Sequence, residues 1–199
     1  MRIPFIAKVS SQEELGVEDS GLRFIADTRG GSAFLIAGAT FRLLGALVAQ
    51  VAPGVRVEWV LYAGLAVPVL GFAIAELQGA RLWAHPGYAS LVMFATLTEL
   101  AALPTMFYLR VEHPEVLPAI LMIADGAHLL ILMWLHLDYS YFLAGWAKAL
   151  LGALFLFGVL WEGSYPLQMA ASGVISLAAA RLVWRDSDRT LQLYLSPEQ

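Results

Sequence analysis

Apolar positions dominate this chain in long runs, without the polar return that marks an amphipathic helix or a half-buried strand. Six runs, roughly 32–53, 58–77, 87–110, 115–137, 139–161 and 164–184, each reach the ~20 residues that a helix needs to cross a bilayer core of ~30 Å. The stretches between them carry turn chemistry: "APGVR", "QGARLWAHPG", "RVEHPE", "LDYS" and "WEGSYP". Aromatic residues gather at the ends of the runs. Trp59, Tyr62, Tyr108, Trp161 and Tyr165 fall at one level, and Trp83, Trp134, Tyr139, Tyr141 and Trp184 at the other, as two interfacial belts require. The pattern predicts an all-α, polytopic integral membrane protein with six transmembrane helices. Its parts are an N-terminal segment 1–31, a helical membrane domain 32–184 and a C-terminal tail 185–199.

Composition sharpens this reading. The chain is 59% hydrophobic and only 14% charged, with a mean hydropathy of +0.70, whereas soluble domains carry about 25% charged residues. The apolar surplus is surface meant for lipid. A formal charge of −4 lacks the basic face that nucleic acid needs. With no cysteine, disulfides, thiolate metal sites and thiol catalysis are excluded. The first 31 residues contain no uninterrupted apolar core of a signal peptide. Ser10 and Glu13 in "SSQEEL" have capping-box spacing for a short surface or interfacial helix.

Basic residues set the orientation. Six spans put both termini on one side, and that side holds Arg2, Lys8, Arg23, Arg29, Arg81, Arg181, Arg185 and Arg189, against Arg56 and Arg110 opposite. The excess predicts cytoplasmic termini in the cell (inner) membrane of a bacterium.

The remaining two basic residues, Arg42 and Lys148, lie inside spans, as do Glu99 and Asp125. At ~1.5 Å per residue, Arg42 is about 15 Å, Glu99 about 18 Å, Asp125 about 15 Å and Lys148 about 14 Å from the first residue of its run. All four therefore fall near the midplane, two of each sign, where isolated charges are prohibitive and paired ones tolerable. His128 lies one turn from Asp125, and Leu132 and His136 continue the same stripe. Asp125, His128, Glu99, Arg42 and Lys148 are the candidate solute- or proton-binding group. A carboxylate beside a histidine supplies charge changes near neutral pH, the requirement of a proton-coupled carrier or a general base. A second polar group, His136, Asp138, Tyr139, Glu76 and His85, is expected near the cytoplasmic face. No metal ion is expected, because His128 and His136 stand about 12 Å apart along their helix and cannot share one ion. A retinal-type Schiff base on Lys148 and a bis-histidine haem are both unsupported, so no cofactor is expected.

The two halves of the chain also resemble each other. "AGLAVPVLG" (63–71) matches "AGWAKALLG" (144–152), and "AFLIAGATFRLL" (33–44) lies over "AILMIADGAHLL" (119–130), which sets Arg42 opposite His128. "ELAAL" (99–103) lies over "SLAAA" (176–180), which sets Glu99 opposite Ser176. The order is collinear, a candidate 3+3 inverted repeat of the kind found in transporters. Gly38, Gly45, Ala46, Gly64 and Gly71 serve close helix packing in any case. Pro68 and Pro104 are candidates for breaks in the helical ladder near the charged layer.

Three functions are compatible with these residues. The first is binding or translocation of a small polar solute or protons. The second is an intramembrane enzyme acting on a lipid-like substrate, with Ser140 or Ser172 as nucleophile, although neither sits in a nucleophile motif. The third is a charge cluster that only fastens helices together. Partners are the bilayer, a small polar solute, proton or lipid-like ligand, and a second copy of the chain in a homo-oligomer.

Overall fold

A computed structural model describes residues 24–52, 63–82, 97, 101–109, 111, 113–136, 138–158 and 165–195. The described residues are helical, with turns between, and contain no strand. The main elements are α1 (Ser32–Val51), α2 (Val67–Leu77), α3 (Leu103–Leu109), α4 (Leu117–His136), α5 (Tyr139–Leu156) and α6 (Tyr165–Leu195). Four described helices are long and apolar enough to cross a membrane: Arg29–Val51, Pro114–Met133, Tyr139–Leu156 and Tyr165–Arg189.

Large apolar side chains stand on the surface, and several charged and hydroxyl side chains stand inside, both uncommon in a water-soluble protein. Leu47, Val51, Leu65, Val69, Leu77, Leu143, Leu150, Phe157 and Val174 are exposed, while Ser32, Arg42, Asp125, Lys148, Ser172 and Ser176 are buried. Exposed leucine and valine cost nothing against lipid, and buried polar groups find partners there only in one another.

Helix boundaries follow from local chemistry. Pro68, Pro118 and Pro166 each occupy the second residue of a helix, where a missing N–H interrupts no bond. Pro68 therefore starts α2 after a short 3₁₀ turn at Gly64–Ala66 and does not break a ladder at mid-depth. Pro104 likewise is the second residue of α3, and an i→i−4 bond from Ala101 N–H to Leu97 O (2.9 Å) lies just before that helix. Gly79, at φ +68°, closes α2. Its N–H reaches Glu76 O (3.0 Å) and that of Ala80 reaches Ala75 O (2.9 Å), the paired bonds of a left-handed helix stop. Asp138 caps α5 by accepting from Ser140 N–H (2.7 Å). α6 continues past Trp184, the predicted end of the span, to Leu195. Trp184 Nε1–H donates to Asp188 (2.7 Å), and Arg185 and Arg189 both lie against Asp186 (3.3 and 3.9 Å), so local pairs carry the helix on beyond its apolar part.

α1 packs on α2 and α6, α5 packs on α4 and α6, and α3 leans on α4. Glycines bring the backbones together. A Cβ on Gly126 of α4 would lie 2.6 Å from Gly145 O, and one on Gly152 of α5 would lie 2.8 Å from Ala119 O. On the other side, a Cβ on Gly71 of α2 would strike the Phe34 ring and one on Gly64 the Phe41 ring.

The start of α1, the end of α2, the α4–α5 turn and the later part of α6 meet at one end of the bundle, here the Gly30 end. Arg29, Gly30 and Gly31 all have positive φ (51°, 59° and 74°). Tyr141 O–H donates to Gly30 O (2.6 Å), Arg29 pairs with Asp188 (2.7 Å), and Arg81 N–H donates to Asp27 O (2.6 Å). Tyr141 belongs to this buried junction and not to the lipid-facing aromatic belt in which its sequence position placed it. The other end is marked by Tyr165, where α6 begins.

Candidate functional site

Arg42 of α1, Asp125 of α4 and Lys148 of α5 converge midway along their helices. Arg42 Nη2 lies 2.6 Å from Asp125 Oδ2, and Lys148 Nζ donates to that same oxygen. Arg42 Nη1 also donates to Gly38 O (3.0 Å), one turn back on α1. Lys148 Nζ makes a further hydrogen bond to Ser176 Oγ of α6. Four helices thus place one group each on a single polar knot, and all four residues are buried. Glycine makes this possible: the close approach of α4 and α5 at Gly126 and Gly145 puts Asp125 next to a lysine one turn along the partner helix.

Three of the predicted site residues are therefore brought together. His128 sits one turn from Asp125 and is half-buried. The stripe predicted on α4 faces inward, with Leu132 and His136 buried beyond it. Glu99 lies outside the described residues. Ser176 was visible in the sequence only as the counterpart of Glu99 in the repeat, yet it contacts Lys148 directly.

The second predicted group is spread over several environments. His136 is buried between two aromatic rings, with Phe24 at 5.8 Å and Tyr141 at 5.2 Å, both nearly parallel to it. A Cβ on Gly31 would fall 2.6 Å from His136 Nε2, so the glycine lets the α1 entry turn sit against the imidazole edge. Asp138 serves as the α5 cap, Tyr139 is exposed and stacked on Phe142, and Glu76 is exposed. His85, like Ser10 and Glu13, lies outside the described residues. Among the described residues, no three His, Asp or Glu side chains gather as metal ligands would. Ser140 is engaged by its backbone at the α5 cap, and Ser172 is buried one turn from Ser176 on α6.

Chemically, the knot sets one carboxylate oxygen between two cationic side chains, one of which also donates to a serine hydroxyl, inside the helix bundle. Such a group binds or relays charge, or ties helices together. No curated protein and no solved structure matches the chain. A family model matches residues 18–186, and the chain belongs to that family, described as a family of unknown function (DUF7010).

Proposed function

We propose that the protein binds or translocates a small polar solute or protons at the Arg42–Asp125–Lys148 knot. The observation that carries this reading is the convergence of three charged side chains from three helices midway along apolar spans. Ionisable groups at that depth are costly and mark solute and proton paths by default. The reading places the chain in the cell (inner) membrane with six spans and both termini cytoplasmic, so that the Gly30 end faces the cytoplasm. Single cysteines introduced near residues 10 and 197 are then expected to label from the cytoplasmic side, and cysteines near Arg56 and His113 from outside. Termini labelling from opposite faces would sink the six-span count.

The glycine contacts support the inverted repeat. Gly64 and Gly71 align with Gly145 and Gly152. The first pair meets α1 at Phe41 and Phe34; the second meets α4 at Gly126 and Leu130, and at Ala119 and Ile123. Under the alignment these are neighbouring positions in the two halves. Each half then builds the same tight helical hairpin, the framework in which midplane sites form between repeats.

A second reading is favoured by the completeness of the pairing: Asp125 accepts from both cations, which fastens α1, α4 and α5. One variant separates the two. Replacing the charged knot entirely, with Arg42→Met, Asp125→Leu and Lys148→Met, should leave the fold standing, because apolar replacement of buried ionic groups is often neutral or stabilising. In proteoliposomes, wild-type protein is expected to carry protons or a small polar solute above the empty-vesicle rate, and the triple variant to fall to that rate. Wild-type flux in a folded triple variant would leave fastening as the role of the knot.

A further inference from the structure

The face that α6 turns to the knot changes character along the bundle axis. On the Tyr165 side, α6 presents Tyr165, Gln168, Ser172 and Ser176 at intervals of three and four residues, one helix face. Gln168, Ser172 and Ser176 are buried, and Ser176 meets Lys148. The column covers about 16 Å of helix at ~1.5 Å per residue, half of a ~30 Å core. Ser172 is 1% exposed, and neither its Oγ nor the buried hydroxyl of Tyr165 has a hydrogen-bond partner among the described residues. Next to Ser172, a Cβ on Gly173 would touch Leu43 and Ala39 O of α1. Ser172 therefore lies near the level of Arg42.

On the Gly30 side the interior changes character. Leu35, Leu129, Leu132, Ala144, Ala179, Ala180 and Val183 pack into one apolar layer beyond the knot and the half-buried His128, with Tyr141 at the layer's far edge. The buried Thr28, Ser32, His136 and Ser140 lie past this layer, at the Gly30 junction. On α6 itself the buried positions switch from Ser172 and Ser176 to Ala179, Ala180 and Val183. A buried hydroxyl without a partner is expensive in an apolar medium, and water satisfies it wherever a chain of polar groups lets water in. The leucine, alanine and valine side chains of the layer themselves offer water no polar group.

We infer that the α6 face Tyr165–Gln168–Ser172–Ser176 is a hydrated half-channel. It admits water-borne protons or small polar solutes from the Tyr165 side to Lys148, and the Leu129–Leu132–Val183 cluster closes the Gly30 side. The inference rests on the reading of the knot as a working site and adds which side it opens to and which residues line the way. Ser172 is a positioning and solvating residue of that path.

The absence of cysteine lets single cysteines report without background. Gln168→Cys and Ser172→Cys probe the column, and Ala180→Cys and Val183→Cys probe the plug, each in full-length protein in oriented proteoliposomes. The probes are silver ion and a larger, positively charged methanethiosulfonate, added to one side at a time. Columnar cysteines are expected to react from the Tyr165 side at least about tenfold faster than plug cysteines, because a thiol reacts as its thiolate where water reaches it. Reaction with silver alone also supports the inference and makes the column narrow. Equal rates at 172 and 183, or reaction at 172 from the Gly30 side only, overturn it. If no position reacts but the charge-free triple variant loses flux, the half-channel is wrong and the proposed function stands. If no position reacts and the triple variant keeps wild-type flux, both are wrong.

Discussion

Replacing Asp125 by asparagine is expected to cost roughly 3–5 kcal/mol of unfolding free energy, the range for stranding a buried charge. Asparagine keeps the shape of the side chain but removes the anion that Arg42 and Lys148 share through one oxygen. The two cations, which meet at that one oxygen, then face each other with no anion between them. Lys148→Met should cost less, since the Arg42–Asp125 pair at 2.6 Å survives it. Combining Asp125→Asn with Lys148→Met should cost less than the two single losses together, by about 1–3 kcal/mol of coupling. Denaturant titration of the four proteins in detergent measures the cycle. Strictly additive losses would mean that Asp125 and Lys148 are solvated separately and that their contact contributes nothing.

The sequence makes this knot legible for a simple reason. A charge inside an apolar run is conspicuous, and the constant rise of a helix converts its position into depth. Arg42, Asp125 and Lys148 could be set at one level before any helix packing was known. The partners on α6 were far less visible, because serine is ordinary in membrane spans and Ser172 and Ser176 carry no charge to stand out. Their role depends on which face of α6 meets α1 and α5, and that is decided by packing. Gly173 against Ala39 and Leu43 is one such contact. Pro68 shows the opposite error: a proline within a long apolar run reads as a break, but the chain turns at Gly64–Ala66 first and the proline only begins the next helix. Tyr141 was misplaced because the aromatic belt is a statistical position, while a buried carbonyl at Gly30 offers its hydroxyl a specific acceptor.

A single methyl group at the α4–α5 contact should expose how much the knot depends on backbone approach. A Cβ on Gly126 would lie 2.6 Å from Gly145 O, 2.8 Å from Ala149 N and 3.0 Å from Ala149 Cβ. The first two are backbone atoms of a helix, which cannot swing aside as a long side chain can. Gly126→Val therefore has to push α5 outward, and Asp125, the adjacent residue, loses its register with Lys148. Overpacking typically costs ~1–3 kcal/mol and occasionally more; with the ion pair stretched as well, a loss of about 3 kcal/mol or above is expected. Ala127→Val on the same turn is the control, since Ala127 is exposed and carries the same β-branched penalty, with a change expected within about 0.5 kcal/mol. Both variants are compared by unfolding in detergent, alongside Gly126→Ala as the smallest step. If Gly126→Val proves as stable as Ala127→Val, the helices are not in backbone contact at Gly126, and the geometry that brings Asp125 to Lys148 has another origin.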